Sequence, residues 1–550
     1  MRRCRLGILA IVCGISATCT IAPTQELKPV KKPIKSEAVY GLPTRDPAPI
    51  VAEINRLWLA RLAEAKISPA PPADDAEFLR RATLDLTGRV PTYQQTIAFL
   101  DSRAPDKRQQ LVDGLLANRQ FGEHFGRRWR TLIQPRDRSS TKQGADRFSP
   151  WLAERFNQNR PWDETVRELI TTEVNITREP QGAFFVANSD SLMPKPGLLA
   201  ASAGRIFLGV QIGCAECHNH PFTAWTQDDF WGLAAFFGRV RKVSKSDFAL
   251  TEEPLADASA TSASEPPSIT IPDGSGKASG KVVPARLLAT APITIDGARP
   301  LRPQLAAWIT ARDNPYFARA MVNRLWSHFF VRGLVQPIDD LREENPPSHP
   351  ELFELLAREF VASDYDVKHL VRCLASSQAY ACSSRLATDL PADAAHFNPM
   401  AVKVLTPEML YDSLQVVLSA NPTVMGGGKP AGLKQAEVTL ESRDAFVRFF
   451  GRTDDADRGE LFAYGIPHLL RLMNGADLNR GAPFIPELLQ RKIAPPEMIE
   501  KIYLVALARR PDEREAARML ALVGDRADSV EAWQGVFWIL LNSSEFVVNR

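Results

Sequence analysis

Beyond residue 50, apolar residues return at intervals of three and four along most of the chain. Capping signals punctuate these stretches, so the sequence is constrained to a succession of helices with short joints. Residues 51–67, VAEINRLWLARLAEAKI, place Val51, Ile54, Trp58, Leu62 and Ala65 on one face. The next helix is expected to open at Asp74, with Glu77 completing a capping box, and to stop near Gly88. Thr92 with Gln95 opens another, and DKRQQLVDGLLANRQF (106–121) predicts a fourth. WLAERFNQNRPWDETVRELI continues the pattern with a break at Pro161.

The texture changes after residue 240. Residues 241–296 are rich in Ser, Ala, Pro, Thr and Gly and hold only brief β-like runs, SITIP and GKVVP, around DGSGKASG. Helical patterning then resumes. Phe317, Met321, Leu325 and Phe329 share a face, with Asn314 as the expected cap and Gly333 as the stop. Ser348 with Glu351 reads as a further capping box, Thr406-Pro407 starts another helix, and Pro511 separates the last two. The expected fold class is mainly α: two helical halves, 51–240 and 299–550, separated by an irregular insert, 241–298, with a short β-hairpin. The chain has no Gly-rich phosphate loop, no G-x-S-x-G elbow and no repeat period.

Sixty-seven basic and sixty-four acidic side chains nearly cancel, so no global field favours nucleic acid, and no nucleic-acid partner is expected. The first 22 residues read as a secretory signal: Arg2, Arg3 and Arg5 precede an apolar run, Leu6 to Ile15, that is short for a membrane span. Residues 23–50 form a Pro/Lys-rich linker. The expected location is therefore outside the cytoplasm, in the periplasm or cell envelope. Cys19 raises the further expectation of weak membrane attachment through a lipid, although Ser16-Ala17-Thr18 before it lacks the leucine usual in such signals.

Of seven cysteines, three lie in the leader, leaving Cys214, Cys217, Cys373 and Cys382. Four in a mature chain this large do not make a disulfide scaffold. Cys373 and Cys382 read either as a pair across a helix end or as two buried thiols. Cys214, Cys217 and His218 stand in GVQIGCAECHNHPF as C-x-x-C-H. That spacing suits a c-type haem, because two thiols one turn apart can add to the two vinyl groups while the next imidazole binds iron. With His218 and His220, the same cysteines also offer a tetrahedral zinc set, a redox dithiol or plain structural thiols. A sixth iron ligand is not specified: Met193 precedes the motif, His220 is too near in sequence, and His124 among aromatics reads as a core residue. Phe222, Trp225, Phe230 and Trp231 follow as an aromatic run that could wall a cofactor.

The stretches AEINRLWLARL, FLRRATLDLTGRVPT, LVDGLLANRQFGEHFGRRW and CAECHNHPFTAWTQDDFWGLAAFF together resemble the planctomycete cytochrome-C-like domain of the PSCyt type. RPQLAAWITARDNPYFARAMVNRLWSHFFVRGLVQPIDDL, PPSHPELFELLAREFVAS and LLNSSEFVVNR resemble the PSD-type domain that commonly follows it. Both are largely of unknown function. The resemblance implies His218 as proximal iron ligand (the metal residue) and Cys214 and Cys217 as thioether residues of a single haem c. Asn219 stands where the family has an acid, so a carboxylate role there is not carried over.

In the second half, one reading gathers His328, Asp339, Asp340 and His349 around a metal or polysaccharide. The other has Asn323 and Arg324 bracing helices, His328 filling a polar core niche and Ser348 capping a helix. The expected function is an exported haem-c protein in electron transfer or redox sensing, with a redox protein or an envelope component as partner. The alternative is a non-haem envelope scaffold or carbohydrate-associated binding protein whose C-x-x-C-H holds a metal or the fold. A polysaccharide-acting enzyme ranks third, since no carboxylate pair stands out.

Overall fold

Helix after helix follows from the capping chemistry, and the chain is mainly α with only two-stranded antiparallel ladders among the described residues. This computed structural model describes residues 42–550 except 135–144, 174, 176–177, 191–192, 221–222, 244–248, 253–266, 273–277, 289–292, 386–394, 421–424, 426–441, 451–465, 476–478 and 480. The expected leader, including Cys19, and most of the linker lie outside the described residues. The first helix, Ala48–Glu64, buries Ile54, Leu57, Trp58 and Leu62, whereas Ala65 ends up exposed just past its end.

Several capping expectations hold. Gly88 closes helix Asp75–Thr87 at φ 71°, a left-handed conformation that glycine takes without penalty. Thr92 and Gln95 form a reciprocal capping box, and Thr406 accepts from the Met409 amide ahead of Pro407. Asn314 Oδ1 accepts from the amides of Tyr316 and Phe317 at 2.9 and 3.0 Å and opens helix Phe317–Phe330.

Other expectations are corrected by tertiary partners. Asp74 caps its helix, but Glu77 does not reciprocate. Its buried carboxylate pairs with Arg81 at 2.6 Å and accepts from Ser383 and Ser384. The helix expected over 106–121 is two, Lys107–Leu116 and Arg119–Ile133, with Asn118 capping the second. The chain leaves helix Phe317–Phe330 at Val331, φ 72°, rather than at Gly333. Gly333 is needed for a different reason: a Cβ there would lie 2.4 Å from the Val335 carbonyl and 2.7 Å from Asn323 Oδ1. Ser348 is not a cap, because helix Pro350–Ala362 begins from His349 with Pro350 in its first turn.

The insert supplies two hairpins. Val240–Lys242 pairs with Leu250–Glu252, and Ser268–Pro272 pairs with Ala278–Pro284. Leu250, Ile271, Val283 and Leu288 from this region are buried. The Glu252 carboxylate accepts from the first amide of helix Leu301–Ile309 and pairs with the buried Arg302. That helix start is thereby satisfied by a remote acid, which is also favourable against the helix dipole.

Two apolar cores result, and they cut across the two sequence halves. The larger runs from Ile54 to Met400 and draws on both sides of the insert. The smaller runs from Leu405 to Phe546 but takes in Leu84 and Val90. Helix Asp75–Thr87 is buried over nearly its whole length because it faces both. The carboxy-terminal strand Val548–Asn549 pairs with Lys403–Val404 beside it, and Arg80 donates to the Phe546 carbonyl at 2.7 Å.

Candidate functional site

The C-x-x-C-H segment sits on a single turn of 3-10 helix, Gly213–Glu216, with Cys217 closing it in helical conformation. Ile212 and Ala215 are fully buried and anchor the turn. In a 3-10 helix, residues three apart fall on the same face, so anchoring Ala215 inward turns Cys214 and Cys217 outward together. Both thiols are exposed and free.

The turn is held from the following helix, Gln227–Ala234. Thr226 and Asp229 close a capping box at its start, a T-x-x-D signal present in the sequence. Gln227 Nε2 donates to the carbonyls of Glu216 at 3.2 Å and Cys217 at 3.0 Å, and its amide donates to Asn219 Oδ1 at 3.0 Å. Trp231 Nε1 donates to the Glu216 carbonyl at 2.9 Å. Neither Gln227 nor Trp231 is marked as a brace by any sequence pattern. Phe230 and Trp231 turn into the core, so they support the turn from within and do not form a cofactor wall. Trp225 packs partly buried near Tyr316, with ring centroids 6.4 Å apart, and Phe222 lies outside the described residues.

His218 is exposed, and its Nδ1 lies 2.7 Å from the Asn219 carbonyl. A carbonyl only accepts, so Nδ1 carries the proton and a neutral ring keeps its lone pair on Nε2. Asn219, standing in place of an acid, thus supplies a backbone acceptor to the imidazole and a side-chain acceptor to Gln227. Glu216 is half-buried, and desolvation raises its pKa. Its carboxylate comes within 3.1 Å of where a Cβ on Gly197 would lie, so it packs closely on the adjoining helix, Pro196–Ala203.

The donor set fits covalent haem attachment: two outward thiols on one face and, directly after them, an imidazole with its Nδ1 engaged. Among the described residues, no three His, Cys, Asp or Glu side chains gather as metal ligands, so Cys214, Cys217, His218 and His220, weighed as an alternative zinc set, are not brought together as one. Met193 lies exposed on a short ladder, Met193–Pro194 against Ser189–Asp190.

The second-half residues separate into individual partnerships. His328 is buried, and its Nε2 donates to the Asp85 carbonyl at 2.7 Å. Arg324 pairs with Asp339 and donates to the Arg205 carbonyl at 2.7 Å. Asp340 pairs with Arg342 at 3.1 Å and accepts from Asn345. His349 Nδ1 meets Ser348 Oγ at 3.0 Å, and burial pushes its pKa down to about 4. Asn323 ties its helix to the carbonyls of Val335 and Ile338 at 2.9 and 2.8 Å. These contacts bear out the bracing and core-niche reading for Asn323, Arg324 and His328, and they do not gather His328, Asp339, Asp340 and His349 around one centre. Cys373 and Cys382 are both free and buried, with pKa values raised by desolvation to about 12 and about 11.

A helical chain of two sequence parts, with an exposed C-x-x-C-H turn in the first, defines the class. Family models place it further: PSCyt2, a protein of unknown function (DUF1549), matches residues 53–242, and PSD1, a protein of unknown function (DUF1553), matches residues 301–460. The chain belongs to the proteins that carry these two domains in that order. No curated protein and no solved structure matches it.

Proposed function

We propose that the mature protein is exported and carries one c-type haem on Cys214, Cys217 and His218, for electron transfer or redox sensing with a protein or envelope partner. The observation that carries this reading is the turn itself. Two free thiols share its outer face, and the imidazole that follows has Nδ1 committed to the Asn219 carbonyl. When bound, the haem supplies a one-electron iron couple. The residues do the rest: each thiol S–H adds across one vinyl C=C with nothing released, and His218 presents Nε2. Gln227 and Trp231 fix the carbonyls of the turn, which limits how far the two sulfurs can move apart. The exposure of all three donors suits contact with a partner surface. The signal-like leader supports export, because this attachment is made outside the cytoplasm.

The test is intact mass and absorbance of protein made together with a cytochrome c maturation system. One haem should add roughly 616 Da that survives denaturation. Changing Cys214 and Cys217 to serine should abolish it, whereas His218→Ala should mainly change the iron spectrum. If the wild-type protein matures without added mass while a control cytochrome in the same cells acquires its haem, the haem reading fails and the scaffold or carbohydrate-associated reading replaces it.

A further inference from the structure

The stretch that leads into the cysteine turn is irregular. Helix Pro196–Ala203 runs on into one turn of π-helix, Gly204–Leu208, and the chain leaves it at Gly209 in a left-handed conformation, φ 67°. The amides of Gly209 and Val210 both reach back to the Gly204 carbonyl, the second at 3.1 Å, so the backbone bends sharply just before Ile212 and the two cysteines. A π turn is rare and keeps its shape only where its neighbours fix it.

Those neighbours come from the second family segment. Arg324 Nη2 donates to the Arg205 carbonyl at 2.7 Å, and the same nitrogen pairs with Asp339. The Leu341 amide donates to the Gly209 carbonyl at 2.9 Å, and Leu341 Cδ1 lies 2.9 Å from where a Cβ on Gly209 would sit. Asp339 and Leu341 stand on a loop that Asn323 fastens to helix Phe317–Phe330 through the carbonyls of Val335 and Ile338. One helix therefore carries both the guanidinium and the loop. Beyond the cysteine turn, the His220 amide donates to the Trp225 carbonyl at 2.8 Å, and the Trp225 ring meets Tyr316, the residue at the start of that same helix. The turn is thus held at Arg205 and Gly209 before it and at Trp225 after it.

Arg324 is the central member of this grip. Its side chain is 11% exposed and that of Asp339 9%, so the pair is largely desolvated. Removing the guanidinium would release the Arg205 carbonyl and leave the Asp339 carboxylate without this cation.

We infer that Arg324 is a positioning residue for the cysteine turn. Through the π turn it fixes the direction in which the chain enters Gly213–Glu216, and with it the spacing of the Cys214 and Cys217 sulfurs. The second family segment then serves the chemistry of the first. The inference rests on the cysteine turn being the reactive site, whichever group its thiols hold. Added mass decides the haem reading, whereas thiol spacing is read on protein without haem, so the two fail separately.

The probe is phenylarsine oxide, titrated into the reduced full mature chain made without haem-attachment machinery. Its arsenic forms two S–As bonds while its oxygen leaves as water with the two thiol protons, and the second bond closes readily only if the sulfurs are held together. The chain with Cys214 and Cys217 both changed to serine gives the blank. The wild type should bind one arsenical per chain above that blank. Arg324→Met should weaken this binding by about tenfold or more, because ring closure draws on geometry set in advance. Arg302→Met removes a buried guanidinium of the same segment that holds the Thr172 carbonyl, at 2.6 Å, instead of the π turn. It should lower the melting temperature and leave arsenical binding unchanged. A wild type that binds no arsenical, an Arg324→Met chain that binds as tightly as the wild type, or an Arg302→Met chain that loses as much binding overturns the inference. If Arg324→Met fails to fold, Asp339→Asn takes its place, since it keeps the side-chain shape and loosens the guanidinium; binding as tight as that of the wild type then overturns the inference.

Discussion

The cysteine turn and the buried junction around Asp85 are built on opposite principles. At the turn, reactive side chains face solvent and the backbone carbonyls beneath them are held by Gln227 and Trp231. At the junction, the Asp85 carboxylate is 1% exposed at the residue level and is met by Lys403, Tyr380 and Asn549, drawn from three distant parts of the chain. The contrast separates chemistry from cohesion. Polar groups that are all satisfied inside a protein specify its assembly, whereas exposed groups on a braced backbone remain free to react. His124 Nε2 and Asn549 Oδ1 are polar atoms that stay buried at the junction without a hydrogen-bond partner.

The sharpest way to break this comparison is to remove Asp85. Asp85→Ala leaves the half-buried Lys403 ammonium with only the carbonyls of His328 and Phe329, at 2.9 and 3.2 Å. Breaking a buried pair costs about 3–5 kcal/mol, and the partial exposure of Lys403 puts the loss at the lower end, about 3 kcal/mol or more, in urea unfolding at neutral pH. A loss below about 1 kcal/mol would mean the junction is not the clasp described here.

Acid should act on a neighbouring part of the same architecture. Burial holds His349 at about 4 in the folded chain against an ordinary 6.5, so the unfolded chain binds the extra proton more readily. The neutral form's contribution is complete above pH 6.5 and is lost as pH falls toward 4; over that window it amounts to about 3 kcal/mol. His124 and His328 push in the same direction. His349→Leu should flatten part of the slope of stability against pH between those limits. An unchanged slope would show that His349 titrates normally.

Gly88 tests the junction from its edge. Alanine there meets two penalties, a positive φ and a Cβ 2.3 Å from His124 Nδ1. The expected cost is about 2 kcal/mol, and thermal unfolding checks it. A neutral result would mean His124 can move away freely.

The same distinction governs how much the sequence discloses. Gly88, the Thr92–Gln95 box and Thr406-Pro407 were legible because each signal and its partner lie within one turn. Glu77 and Ser348 misled for the complementary reason. Their spacing fits a capping box, but Glu77 is claimed by Ser383 and Ser384 and Ser348 by the His349 ring. Gly333 looked like a helix stop and is instead a close-approach glycine beside Asn323. The C-x-x-C-H residues were readable from spacing, whereas their braces were not, since Gln227 and Trp231 act ten to fifteen residues away through side-chain donors. The contact of His124 with His328 is visible only after both family segments are packed together.

The smallest expected effect is the one that most cleanly separates the two regions. Cys214 and Cys217 are exposed, unpaired and make no contribution to either core, so replacing both with serine should change stability by no more than about 0.5 kcal/mol. Chemical denaturation of protein made without haem-attachment machinery is the measurement, because it removes any contribution from a bound group. The double serine variant and the wild type should then unfold at the same midpoint and with the same slope. A loss of 2 kcal/mol or so would contradict that expectation, since it is the size expected of buried or cross-linked cysteines. Repeating the comparison with the maturation system present sharpens it. Thioether attachment would change the stability of the wild type alone: the covalently held haem stays on the unfolded chain too, but only in the folded state does it keep its packing against the turn. A difference that appears only under those conditions assigns the thiols to chemistry and leaves cohesion to the junction around Asp85.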